Sequence, residues 1–320
     1  MLGWRKAATT IVVVAAVTGA MARAEQSGQR RVFRSGVDLV RFSVAVTTPR
    51  GGFVHGLTAD DFQILEDGKP QSIIFFHGGR GTAQDGDPAA LGEPLASLHL
   101  GLLFDTSESM TDDIRFSQNA AVKFLNALPE AHDITFVDFD TEVRVARYSQ
   151  ADFPRLVERI RATKSKGWTA LHDALGVYLD GAFDQDGDKA LVLYTDGGDT
   201  RSNLDFGGVL ELLRASDVTV FAIGLLTHQS GSVKTEQRMR LEQIAQTTGG
   251  LAFFPTGKEQ LDDMYARIVA ELRARYSIGY LSTNAKTDGA WRKVQIKLTR
   301  PDLKDARVRT RQGYFAPYRK

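Results

Sequence analysis

The 320-residue chain contains no cysteine, which excludes disulfides, thiolate metal sites, a cysteine nucleophile and lipid attachment through an N-terminal cysteine. Forty basic residues against 39 acidic ones leave a formal charge of +1, so no overall field favours nucleic acid or a membrane surface. No short internal repeat is evident, and the Gly-x-Ser-x-Gly elbow of a serine hydrolase is missing. Long hydrophobic runs are also lacking. The stretch Ala7 to Val17 is apolar but falls short of the roughly 20 residues that a spanning helix needs.

That stretch has another reading. Arg5 and Lys6 precede it, and Ala22-Arg23-Ala24 follows with small residues at the two positions that define a cleavage site. The pattern predicts a signal peptide over residues 1–24, cut after Ala24, and a periplasmic or extracellular mature protein with no membrane span. Losing Arg5, Lys6 and Arg23 changes the charge from +1 to −2. What remains, with 42% hydrophobic and 25% charged residues overall, has the composition of a globular protein with one large or two ordinary domains.

Residues 30–77 are β-rich. Val40, Phe42, Val44 and Val46 alternate with Arg41, Ser43, Ala45 and Thr47, as in a half-buried strand. A strand before Asp67-Gly68 and another over residues 72–76 predict a hairpin about that dipeptide. Residues 78–96, rich in Gly, Ala and Pro, read as a linker. Between 97 and 272 strands and helices alternate, which predicts a doubly wound, mostly parallel, Rossmann-like α/β sheet with helices on both faces. The expected helices cover 114–128, 153–160, 169 or 171 to 183, 206–215, 236–247 and 258–275. Residues 273–320 turn β-rich again, with strands expected at 276–281, 293–299 and 308–314. A lone hairpin there would be marginal, so the two flanking β segments are expected to form one β-sandwich into which the α/β domain is inserted.

The stretch with most chemistry is Leu98-His99-Leu100-Gly101-Leu102-Leu103-Phe104-Asp105-Thr106-Ser107-Glu108-Ser109. A mostly apolar run of strand length ends in a carboxylate and two hydroxyls two residues apart. Ligands of open α/β sheets collect beyond the carboxyl ends of strands, and hard oxygen donors there suit a cation such as Mg²⁺. A strand end followed by a helix cap accounts for this stretch equally well. Two further pieces lie elsewhere. Gly167-Trp168-Thr169 puts a hydroxyl at a loop-to-helix junction, and Leu191-Val192-Leu193-Tyr194-Thr195-Asp196-Gly197 ends a second buried strand in a carboxylate.

Together these residues resemble the metal-ion-dependent adhesion site of the von Willebrand factor type A family: Asp-x-Ser-x-Ser, a threonine after a glycine-containing loop, and a strand ending in Asp-Gly. The flanking segments, through Leu57-Thr58-Ala59-Asp60-Asp61-Phe62, Glu66-Asp67-Gly68, Gly289-Ala290-Trp291-Arg292 and Arg311-Gln312-Gly313-Tyr314, look like bacterial proteins named for a von Willebrand factor A-related acidobacterial domain. The resemblance implies that Asp105, Ser107, Ser109, Thr169 and Asp196 hold Mg²⁺, with Mn²⁺ as an alternative. Ser107 and Ser109 would be direct ligands, with Thr169 direct or through water and the two aspartates acting mostly through water or through the hydroxyls. It further implies a protein partner presenting Asp or Glu to the metal, with no enzymatic activity and no nucleic acid.

Other residues carry paired readings. Glu108 and Trp168 are expected at the partner-binding rim, although Trp168 could instead pack under its loop. Asp112 and Asp113 match the spacing of a second metal site, or else supply an acidic first turn to a helix. Asp184-Gln185-Asp186-Gly187-Asp188 mimics the start of a calcium loop but lacks its downstream glutamate and reads as a solvated turn. His172 is expected to pack or cap, and the basic excess after Arg292 to be a solvated sandwich face. The rival function is a haloacid-dehalogenase-like phosphotransferase with Asp105 as nucleophile. It lacks the general acid two residues on, where Ser107 stands; a structural module with no exchangeable ligand is the third reading.

Overall fold

The structure, a computed structural model, describes residues 39–79, 97–129 and 131–318. The expected signal peptide and all but the start of the expected linker lie outside the described residues. Six strands form the central sheet: β5 (Leu98–Asp105), β6 (Asp133–Phe139), β7 (Val143–Ser149), β8 (Asp188–Thr195), β9 (Thr219–Gly224) and β10 (Ala252–Phe253). Strands β1–β4 precede them and β11–β14 follow. The order across the sheet is β10-β9-β8-β5-β6-β7, parallel except for the edge strand β7, which pairs antiparallel with β6.

All eight residues of β5 are buried, as a strand covered on both faces requires. Helices α1 (Ile114–Ala127), α2 (Phe153–Ala162) and α6 (Lys258–Ala274) pack on one face, where Leu100, Leu102, Phe104, Phe136 and Tyr194 meet Phe124, Leu156 and Ile268. On the other face α3 (Leu171–Phe183), α4 (Phe206–Ala215) and α5 (Gly231–Thr247) cover Leu103, Val137, Leu191, Leu193 and Val220. The chain runs outward from β5 through β6 to β7, then returns to β8 on the other side. The carboxyl ends of β5 and β8 therefore flank a topological switch point, where open α/β sheets bind their ligands.

Two four-stranded antiparallel sheets make the second layer pair. One has the order β13 (Arg307–Arg309), β1 (Leu39–Thr47), β11 (Tyr276–Leu281), β4 (Ile73–His77). The other has the order β14 (Gly313–Phe315), β12 (Trp291–Leu298), β2 (Phe62–Glu66), β3 (Lys69–Gln71). Each sheet mixes strands from both ends of the chain, and Val40, Phe42, Val44, Phe62, Ile64, Ile278, Val294 and Ile296 share one core between them. The alternation in β1 is the expected one, with Val40, Phe42, Val44 and Val46 buried inward. Asp67 (φ 47°) and Gly68 (φ 81°) both adopt positive φ, as a two-residue hairpin turn of type I′ demands.

Several expectations are corrected. The hairpin partner of β2 is β3, not residues 72–76; the chain crosses at Ser72 and those residues enter the opposite sheet as β4. Residues 308–314 are not one strand: β13 pairs with β1 and β14 with β12, so Thr310–Gln312 step between the sheets. Helix α5 begins at Gly231, five residues before the expected start. The basic C-terminal residues are also not simply a solvated face. Arg311 donates to the carbonyls of Ser216 and Arg41, each at 2.8 Å, and lies over the Phe42 ring. Arg309 donates to the Gly249 carbonyl at 3.1 Å and pairs with Glu271. Arg292 is buried, with its guanidinium on Asp288 at 2.8 Å.

Candidate metal centre

Three loops meet at the switch point. The first leaves β5 after Asp105 and runs through a 3-10 turn, Glu108–Met110, into α1. The second, residues 163–170, leads into α3, and the third follows β8 from Asp196. The Lys166 N–H donates to the Thr106 carbonyl (2.8 Å) and the Glu108 N–H to the Gly167 carbonyl (3.1 Å), which ties the first loop to the second. The Thr169 N–H donates to Thr200 Oγ1 (3.0 Å), while the N–H groups of Thr200 and Arg201 both donate to the Thr169 carbonyl, which ties the second to the third. From the turn after β6, the Asp140 carbonyl accepts from Ala170 N–H and Thr141 Oγ1 accepts from Trp168 N–H, each at 2.9 Å.

Asp105 lies at the centre, fully buried. Its Oδ1 accepts from the Ser107 N–H (2.9 Å) and hydroxyl (2.6 Å), and its Oδ2 accepts from Thr195 Oγ1 (2.6 Å). Ser107 has one hydroxyl proton and gives it to Asp105, so in the 3.1 Å contact between the two serine hydroxyls Ser109 is the donor. Asp196 is similarly held: Oδ1 accepts from Gly198 N–H and Oδ2 from Gln229 Nε2, both at 3.0 Å. Burial, then the Asp196 carboxylate, push the Asp105 carboxyl up to about 7 against the pull of its hydrogen bonds. Among the described residues no lysine, arginine or histidine forms an ion pair with Asp105 or Asp196.

Asp105, Ser107 and Ser109 are thus linked directly. The charge of Asp196 acts on Asp105, and Thr169, buried, joins through the backbone ties of its loop. Glu108 and Ser109 are exposed, and Trp168 is 65% exposed, so it does not pack beneath its loop. Asp112 is exposed and Asp113 half-buried, both just ahead of α1 and not within its first turn. Partial burial raises the Asp113 carboxyl, partly offset by His228, whose Nε2 lies 3.7 Å from its Oδ1. Among the described residues no three His, Asp or Glu side chains gather in a group able to hold a metal, so any ion here relies on hydroxyl as well as carboxylate oxygen.

His172 packs on Phe206 and contacts the Leu204 carbonyl at 3.0 Å, a structural role. Asp184 and Asp186 are exposed, as the expected solvated turn requires, with the Asp186 carbonyl on His99 and the Asp188 carboxylate accepting from Ser277. Sequence reasoning missed Thr195 and Gln229. Thr195 adjoins Asp196 and was readable there as a second hydroxyl; Gln229, 33 residues beyond Asp196, carries no local signal.

Two observations test whether these residues fit a divalent cation. The oxygen-only donor set suits a hard ion, and two neighbouring buried carboxylates without a cationic partner leave negative charge that an ion would neutralise. They fit.

No curated protein matches the chain. Among solved structures, similarity extends to the PilB minor pilin from Streptococcus sanguinis, at 15% identity and a TM-score of 0.46 over 57% of this chain and 62% of that one. The chain therefore spans under two thirds of that pilin's length. A von Willebrand factor type A protein from Catenulispora acidiphila aligns at 13% identity and TM-score 0.46, over 90% of this chain and 76% of the other. The vWF domain of the type V pili tip protein Mfa5 from Porphyromonas gingivalis aligns at 13% and 0.44, over 55% and 96%. The family model described as the von Willebrand factor type A domain matches residues 99–267, more than half the chain. With β8, all three loops and all of β5 but Leu98 inside that match, the chain belongs to the von Willebrand factor type A domain family.

Proposed function

We propose that the chain is a metal-dependent protein-binding module, exported through its N-terminal leader, that holds Mg²⁺ at Asp105, Ser107, Ser109, Thr169 and Asp196. The observation that carries this reading is the pair of buried carboxylates, Asp105 and Asp196, set beside hydroxyl donors with no cationic side chain among the described residues paired to them. When bound, the ion supplies a Lewis acid that accepts an Asp or Glu carboxylate from the partner. The chain's own residues prepare the place. Asp105 fixes the Ser107 hydroxyl by accepting its hydrogen bond, which leaves the hydroxyl oxygen's lone pairs free for an ion. Gly198 N–H and Gln229 fix Asp196 in the same manner.

The phosphotransferase reading fares worse. Asp105 is fully buried with both oxygens accepting hydrogen bonds, which withholds it from nucleophilic attack on a phosphoryl group. No helix among the described residues is long and apolar enough to cross a membrane.

The test is capture of a partner from the extracytoplasmic fraction, with and without a chelator, by the wild type and Asp105→Ala. The expected result is a protein captured by the wild type in Mg²⁺, released by chelator and absent with Asp105→Ala. Capture that survives both the chelator and the substitution contradicts the proposal.

A further inference from the structure

The rim of the candidate metal centre carries exposed cations and an exposed tryptophan on the two loops that meet at Thr169. The second loop presents Lys164, Lys166 and Trp168, all exposed, and the third presents Arg201, exposed and joined by its N–H to the Thr169 carbonyl at 3.0 Å. Among the described residues the Arg201 guanidinium has neither a hydrogen bond nor an ion pair. The Lys166 ammonium, 71% exposed, comes no closer than 3.9 Å to its one carboxylate neighbour, Asp140. The backbone beneath these side chains is fixed: Lys166, Gly167, Trp168 and Thr169 each make a main-chain hydrogen bond to another loop. The first loop presents Glu108 and Asp112, both exposed, and the Glu108 N–H donates to the Gly167 carbonyl at 3.1 Å.

An unpaired Arg201, a Lys166 only loosely paired with Asp140 at 3.9 Å and a 65% exposed tryptophan on a rigid frame form a surface that lacks its counterpart. The tryptophan supplies an apolar contact with few rotors to freeze, and the cations favour carboxylates and raise the rate of encounter with an acidic segment.

Building on the proposed metal-dependent binding, we infer that the partner presents an acidic cluster and not a single acidic residue. One carboxylate goes to the metal and at least one more to Lys166 and Arg201 across Trp168.

The probes are three synthetic peptides in a Gly-Ser background: one with a single Asp, one with Asp-Asp-Glu and one with Asp-Lys-Lys. Each is titrated into the full chain in Mg²⁺ and in chelator, beside a titration of Mg²⁺ alone. Asp-Asp-Glu is expected to bind the Mg²⁺-loaded chain about tenfold more tightly than single Asp, from two exposed charge pairs, with that advantage fading at high salt. Asp-Lys-Lys is expected to bind most weakly. The double variant Lys166→Gln/Arg201→Gln should lose the tenfold advantage while single-Asp and Mg²⁺ affinities stay within about twofold, since neither residue is assigned to the metal. Trp168→Ala should weaken both Asp and Asp-Asp-Glu.

Absence of Mg²⁺ binding would overturn the metal reading and this inference with it. Mg²⁺ binding with equal affinities for the Asp and Asp-Asp-Glu peptides, or with no peptide binding, overturns the inference alone. Undiminished Asp-Asp-Glu binding in chelator also overturns it, by showing a polyanion surface independent of the metal.

Discussion

Asp105 is fully buried and faces a second carboxylate, an arrangement that disfavours its charged form and outweighs the three hydrogen bonds it accepts, which favour that form. In the metal-free chain the folded carboxyl keeps its proton up to about 7, whereas the unfolded one releases it near 3.8. Its contribution to stability is therefore present below 3.8 and is lost as pH rises from there to about 7. Asp105→Asn keeps the side chain's size and removes the ionisation. In chelator, the melting temperature of the wild type should fall relative to Asp105→Asn across that window, and excess Mg²⁺ should restore the wild type only. A constant difference between the two across the window would show that Asp105 ionises freely. Asp105, Ser107, Ser109 and Asp196 were readable because carboxylates and hydroxyls at strand ends are local features, and Thr169 because it follows a glycine-containing loop just ahead of a helix. Gln229 was not, because its place beside Asp196 depends on how the loop before α5 folds back.

Among the elements, β5 and its neighbours were legible because burial on both faces leaves a continuous apolar run, and α1, α4 and α6 because their apolar residues recur at helical spacing. Elements whose limits depend on distant contacts were not. Residues 308–314 read as one strand because nothing local marks a break; Arg311, drawn to the Ser216 and Arg41 carbonyls, sits where the chain changes sheets. Ser72 likewise carries no turn signal, yet β3 and β4 belong to different sheets. The fit of α3 on β5 depends on Gly101. A Cβ there would lie 2.3 Å from the buried Tyr178 ring. Gly101→Ala should therefore displace α3 and destabilise the fold by about 1–3 kcal/mol in urea unfolding, as overpacking does. A change below about 0.5 kcal/mol would mean that Tyr178 swings aside without strain.

At the level of the whole molecule, the α/β layer and the sandwich share a buried ionic junction. One residue, Arg275, separates α6 from β11. Its guanidinium donates to Glu271 (2.7 Å), the Ser43 carbonyl (2.9 Å) and the Ser43 hydroxyl (2.8 Å), while Arg309 approaches Glu271 from β13. Glu271→Ala leaves the buried Arg275 without its carboxylate and should cost about 3–5 kcal/mol. It should also split a single calorimetric transition into two, since the junction couples the layers; one transition at an unchanged temperature would show that it does not. The insertion of one layer into the other was legible from β-type sequence at both ends, but the arginines that join them looked like ordinary surface charge. The candidate metal centre lies at the switch point of the inner layer. Its most direct test is a calorimetric titration of Mg²⁺ into the metal-free chain, with Asp105→Ala and Ser107→Ala alongside. A single saturable site in the wild type that both substitutions abolish is the predicted result, and no binding, or binding that both variants retain, would contradict it.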